Sequence, residues 1–366
     1  MKKIIVLLFA AALLCTTGCK KDDPAPVANS SNSGNGNGGT TPPAEINREG
    51  MYKPNGKIVN IVSSGNGTAE VWNWENGQLQ SVLESGGDLL ADFNYKTDGR
   101  VSSVTRYGSQ FSGTMGVTYN GEYISRISLM NGDSEVAGAS VSHNANNKVG
   151  SASLNLSDNY LLDIFNSTLS QYLSDTANLA PQVDSVQGNL AFDWNGENVS
   201  AARMGLSFRV KIMWGTLRGM LTNLSALGVD TSAFNLLSDD TPIIFKITAR
   251  DTAHYTAYDN KVNPFRHYLG NLENLLQLDA SVLSANNVKA GTISGTVTVE
   301  IKAEISASIL GQTFTQVIPL YSTSQPLPSS VIDNTYIYNS ANYPTSVTDS
   351  EGNVTTYTYA QEIKRQ

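Results

Sequence analysis

Few residues in this chain have the type and spacing needed for chemistry. The three histidines, His143, His254 and His267, are isolated in sequence. No two of them stand at metal-ligand spacing, and no free thiolate is left to complete a site. No G-x-S-x-G elbow occurs, nor a Walker-type loop or a glycine-rich dinucleotide fingerprint. Asp239-Asp240 and Asp349-Ser350-Glu351-Gly352 read as acidic turns, and the second lacks the ligand spacing of a calcium loop. Paired carboxylates for glycoside cleavage can come from positions far apart in sequence, so a hydrolase stays open as a reading. One side chain has a defined covalent fate. Lys2-Lys3, the apolar run Ile4 to Leu14 and small Thr16-Thr17-Gly18 lead into Cys19. That order is how a secretory signal reads, and the apolar run is too short to span a bilayer. Cys15 follows bulky Leu14, whereas Cys19 follows small Gly18.

The segment resembles a bacterial lipoprotein signal, with Thr16 where the lipoprotein box usually carries leucine. The resemblance implies that residues 1–18 are removed and that Cys19 becomes the acylated first residue, anchored in the outer membrane by several acyl chains. Lys20-Lys21-Asp22-Asp23 resembles the lysine-acidic signal that sends lipoproteins of Bacteroidetes-type bacteria to the outside of that membrane. The mature chain would then hold no disulfide, since Cys15 leaves with the signal, and its stability must come from burial. Residues 19–47 read as a disordered tether, with Pro24, Pro26, Pro42 and Pro43 around a run of Asn, Ser and Gly. The net charge of −8 becomes more negative once Lys2 and Lys3 are gone, which argues against nucleic acid as a partner. No cofactor or metal is implied.

The elements that would carry any site are hairpins. Trp74, Leu79 and Val82 flank Asn76-Gly77, and Tyr95, Val101 and Val104 flank Asp98-Gly99. Tyr119, Ile124 and Ile127 flank Asn120-Gly121, and Trp194, Val199 and Ala202 flank Asn195-Gly196. His143, Val149 and Ala152 make a degenerate copy, and Tyr338, Pro344 and Val347 a late one. Asn-Gly and Asp-Gly suit tight hairpin turns, and stacked hairpins share a core. The pattern resembles, loosely, the tyrosine-aspartate repeats of bacterial wall-associated and toxin shell proteins. A long strand is expected over Ile293 to Ile309, with every second residue apolar, turning at Gly311-Gln312.

Three apolar stripes predict helices over about 158–176, 216–227 and 265–284. The expected fold is therefore mainly β, at the margin of α+β. It is a long antiparallel meander of hairpins in a curled sheet, with about three helical insertions, forming one large domain over 48–366. The segments Tyr258 to Phe265, Ser284 to Val288, Tyr336-Ile337-Tyr338 and Tyr343-Pro344 resemble a family of uncharacterised Bacteroidetes surface lipoproteins. That resemblance implies placement and a β-rich fold, and no catalytic residue. Trp72, Trp74, Tyr95 and Tyr119 are the candidate ligand surface, against packing in the core. Together these features point to a non-catalytic envelope lipoprotein with a binding or structural role toward a glycan or an envelope protein. The alternatives are a carrier of a lipid or other hydrophobic ligand between sheet and helices, and a glycan hydrolase.

Overall fold

A computed structural model describes residues 49–360, apart from 66, 68, 108–111, 160, 163–180, 219–236, 271–278, 280–281 and 310–311. Cys19 and the tether lie outside the described residues. The chain forms one antiparallel sheet of 17 strands. Nine short strands come first: β1 (Ile58–Ser63), β2 (Ala69–Glu75), β3 (Gln78–Glu84), β4 (Leu89–Tyr95), β5 (Val101–Arg106), β6 (Gly113–Asn120), β7 (Tyr123–Asn131), β8 (Ser134–His143) and β9 (Val149–Leu156). Five long ones follow: β10 (Gln182–Asn195), β11 (Asn198–Met213), β12 (Pro242–Tyr258), β13 (Val288–Ile309) and β14 (Gln312–Asp333). The end is short again: β15 (Thr335–Tyr338), β16 (Pro344–Thr348) and β17 (Val354–Tyr359).

From β1 to β14 each strand pairs with the next. The end strands run β15–β16–β17 and then onto β1, with Ile61 opposite Tyr357. The two outer strands of this order, β14 and β15, are joined through Asn334, which donates its backbone N–H to Lys289 O at 2.8 Å. The sheet is thus a nearly closed, barrel-like ring with a covalent seam. Among the described residues the second edge of β14 has no strand partner, and β14 carries Pro319, Pro326 and Pro328. Proline lacks the N–H that an inner strand needs, so an edge strand is where it is tolerated.

Turn chemistry sets the meander. At Asn76-Gly77 both residues have positive φ (50° and 80°), the geometry of a two-residue hairpin loop between Glu75 and Gln78. The register then shifts beside a recurring aromatic: between Asn73 and Trp74, Asn94 and Tyr95, Thr118 and Tyr119, and Asp193 and Trp194. Such a bulge re-aims the side chain. Each ring then donates to a carbonyl of an earlier strand. Trp74 Nε1 reaches Ile58 O at 2.6 Å, Tyr95 OH reaches Leu79 O at 2.5 Å, and Tyr119 OH reaches Val101 O at 2.7 Å. Trp194 Nε1 reaches Val149 O at 2.8 Å. At His143, Glu49 stands between. Its Oε1 is 2.8 Å from His143 Nε2, and its Oε2 accepts the Ile124 N–H at 2.6 Å.

Alternation puts apolar residues inside the ring. On β11 every second residue from Ala202 to Ile212 is buried. One interior cluster lies under the long strands, around Ile212, Trp214, Ile243 and Val297. Another lies under the short strands, around Trp72, Leu79, Phe93 and Tyr268. A third joins them at Phe192, Val199 and Tyr255.

The three expected helices reduce to about one among the described residues. Helix α1 (Trp214–Arg218) begins two residues before the expected start, and residues 219–227 of that expectation lie outside the description. Of the first helix, residues 158–159 and 161–162 are helical and 163–176 lie outside. The third expectation is corrected. Residues 264–267 are turns, because Asn263 Oδ1 accepts the Phe265 N–H at 3.0 Å and His267 then takes a left-handed φ of 66°. That conformation cannot propagate a right-handed helix. Residues 271–278 lie outside the description. No helix among the described residues is long and apolar enough to cross a membrane.

Candidate functional site

The described start of the connection from β12 to β13, Asp259 to Gly270, folds into the ring rather than over it. Tyr268 is buried against Trp72, Tyr52 and Phe93, with ring centroids 4.8, 5.1 and 5.9 Å away. Tyr52 OH donates to Pro264 O at 2.7 Å, tying the start of the fold to this plug.

The plug is clasped by carboxylate and amide groups. Asp259 Oδ1 accepts the backbone N–H groups of Lys261 and Asn287, each at 3.0 Å. Asp259 Oδ2 accepts Asn287 Nδ2 at 2.9 Å and the Tyr338 hydroxyl. Asn263 Nδ2 donates to Ser284 O at 2.9 Å, and Lys261 Nζ to Asn342 Oδ1 at 2.8 Å. So the segments around Asp259, Ser284, Tyr338 and Asn342, far apart in sequence, meet at the seam.

Beside this clasp lies a cavity of about 460 Å³. Its walls are mostly apolar, with Val288, Ile293 and Ile332 from the long strands, Phe265 from the plug and Val347 from β16, and they also carry the amides Asn263, Asn287, Asn334 and Asn353. Tyr336 and Tyr357 bring phenols to it. The Tyr336 hydroxyl donates to Val288 O at 3.0 Å. Burial pushes both phenols well above the usual tyrosine range, with the charge of Asp279 adding to the effect, so both are neutral.

Asp279 and Asp349 are the carboxylates of the lining. Asp349 belongs to its own turn. Its Oδ1 accepts the N–H groups of Glu351 and Asn353 at 2.9 Å each, and Asn353 Nδ2 donates to its Oδ2 at 3.0 Å. The side-chain bond from Asn353 leads in holding its pKa below the usual carboxylate value. A glycosidase acid needs the opposite shift. Asp251 does show a raised pKa, from desolvation, but it sits on β12 and does not line the cavity. No acid–base pair is assembled here among the described residues.

The histidines occupy three separate places. His143 pairs with Glu49, and His254 lies exposed on β12. His267 is in the plug, where burial, with Arg266 beside it, lowers its pKa to about 4. No three metal-binding side chains cluster among the described residues.

The four aromatic residues of the candidate ligand surface belong to the interior. Trp72 is 2% exposed, and Trp74, Tyr95 and Tyr119 are partly buried against the same cluster. They form no open platform, because their polar atoms are turned to bonding neighbouring strands or, for Trp72, Glu70. Sequence reasoning did not single out Asp279, Tyr336 or Tyr357 as site residues. The signal was weak: Tyr336-x-Tyr338 and Tyr357-x-Tyr359 each place two phenols on one strand face, but nothing local says that β17 returns to β1. No family model matches the chain, and no curated protein matches it.

Proposed function

We propose that this chain is a non-catalytic binding protein of the cell envelope, held on the outer face of the outer membrane by acylated Cys19, which takes a small ligand into the cavity at the seam. One observation carries the binding role: a preformed space of about 460 Å³ with mostly apolar walls and a few convergent polar groups. That size and lining are typical of sites for small molecules. The reading favours a ligand with a hydrophobic body over an extended glycan, because the walls are mostly aliphatic and aromatic. The secretory pattern ahead of Cys19 and the lysine-acidic run after it support the location.

The binding role is tested with an apolar fluorescent dye such as N-phenylnaphthylamine, added to the full chain carrying Cys19→Ala so that no acyl group of its own competes. Saturable binding near one dye per chain is expected. Val331→Trp places a ring at the mouth from a position 61% exposed, which should abolish binding without disturbing the core. Absence of dye binding, or binding unchanged in V331W, refutes the role. The anchor is tested by palmitate labelling of cells, where Cys19→Ala should lose the label. Equal labelling of the two refutes acylation.

A further inference from the structure

One ionisable side chain inside the ring belongs neither to the cavity nor to the clasp. Along β12, Ile247, Ala249, Ala253 and Tyr255 are buried toward the interior, and Asp251 falls on the same face. The register gives its company. Asp251 stands between Met204 on β11 and Gly295 on β13, with Leu190 behind the one and Leu327 behind the other. Diagonally it meets Ala202 and Leu206 on β11 and Ile293 and Val297 on β13. None of these is charged or titratable, and on β12 itself the interior face carries the Tyr255 phenol further along. The charged residues nearby on these strands, Arg250, His254 and the Arg203–Asp193 pair, lie on the exposed outer face. Gly295 is shaped to the carboxylate, because a Cβ there would overlap Asp251 Oδ1. A glycine inside a strand marks such a close approach. Burial raises the pKa of this carboxyl, and no neighbouring charge or hydrogen bond offsets the rise.

We infer that Asp251 is an acid-sensitive switch built into the wall of the ring, loosening the long-strand half when its carboxylate is ionised and tightening it when a proton is taken up. An ionised carboxylate set among alkyl groups costs free energy that the same group in the unfolded chain, surrounded by water, does not. The neutral acid costs far less. Above its raised pKa the folded chain carries that cost in full. As pH falls, the folded chain takes up the proton before the unfolded chain, whose carboxyl titrates near 3.8. Stability therefore rises through that interval, and the cost is gone below 3.8. His267 moves stability the other way in acid. Ile293, the next residue of the same face on β13, lines the cavity, so the tightening acts beside the cavity wall.

The test follows urea unfolding of the full chain carrying Cys19→Ala at steps from about pH 7.5 to about pH 4. Asp251→Asn keeps the size of the side chain and removes its charge. Its urea midpoint should lie above that of the parent at about pH 7.5, and the gap should narrow toward about pH 4. Comparing the two chains at each pH cancels His267 and every other group they share. Asp133→Asn takes the same charge from the exposed β7–β8 turn and should open no such gap. A gap that does not change with pH, no gap at all, or a gap of the same slope in D133N overturns the inference. Gly295→Ala checks the seat of the carboxylate. It should lower the midpoint more in the parent than in a chain that also carries Asp251→Ala, and equal losses overturn the placement on which the switch depends. If D251N does not fold, the pH slope of the difference between D251A and the parent is read in its place, and a flat difference overturns the switch. None of these measurements depends on the cavity holding a ligand.

Discussion

Asp259 offers the sharpest test of how the ring is held shut. Its carboxylate accepts four hydrogen bonds: two backbone N–H groups at 3.0 Å, Asn287 Nδ2 at 2.9 Å and the Tyr338 hydroxyl. These tie the plug to itself and to β15. Asp259→Ala strands all four donors, although Asn287 Nδ2 keeps Val262 O at 3.1 Å and so is only half orphaned. A bond to a charged acceptor contributes about 1.5–3 kcal/mol when buried. The site is part-buried, so the lower end applies and water takes up some of the loss. The expected cost of Asp259→Ala is about 3–4 kcal/mol. Asp259→Asn keeps one oxygen for the two backbone groups and fails only toward Asn287 Nδ2 and Tyr338, whose hydroxyl can turn to accept. Its expected cost is about 1–2 kcal/mol. Urea unfolding followed by tryptophan fluorescence gives both numbers, since Trp72 packs on the plug's Tyr268 at 4.8 Å. The argument fails if the alanine variant loses less than about 1 kcal/mol, or if the two variants lose the same amount.

Two further outcomes follow from single residues. Gly50 has φ of 75°, and a Cβ there would overlap the Tyr119 hydroxyl. Gly50→Ala should therefore destabilise by about 2 kcal/mol or more in the same urea assay, and a neutral result would mean that the Glu49–Tyr52 segment is not held as described. His267 has a folded pKa of about 4 against about 6.5 unfolded, so the unfolded chain binds the extra proton first. Its contribution is fully present above pH 6.5 and is lost as pH falls toward 4, by about 3 kcal/mol in all. His267→Asn, which tolerates the left-handed backbone, should flatten that part of the stability profile, and parallel profiles for the two chains would refute the assignment.

The hairpins were legible because their information is local. Asn76-Gly77 dictates a turn whatever surrounds it, and the alternation from Val297 to Ala303 survives as a buried face on β13. Trp72 and Trp74 share parity, and both face inward. The bulges beside Trp74, Tyr95 and Tyr119 were hidden, since an extra residue in one strand is defined only relative to its partner. The plug was misjudged over 265–270 for a related reason. Leu269 fits a helical stripe, but Asn263 capping Phe265 and the left-handed His267 decide the backbone. The cavity was out of reach, because it depends on bonds such as Tyr52 to Pro264 and Tyr338 to Asp259 that span 212 and 79 residues.

The pairing of β17 with β1 has a consequence for how the protein comes to exist. Almost every other ladder joins neighbours in the chain and can zip within its own hairpin, at little loop-closure cost. This one unites Ile58 with Tyr359, the longest loop the fold contains. Until the last strand emerges and docks, Ile58 and Ile61 present a bare flank and the cavity lacks the Tyr357 wall. A chain cut short by even one hairpin would keep most of its secondary structure yet offer a sticky, open-sided ribbon to its neighbours, which makes the docking of β17 the step that guards the finished ring against aggregation.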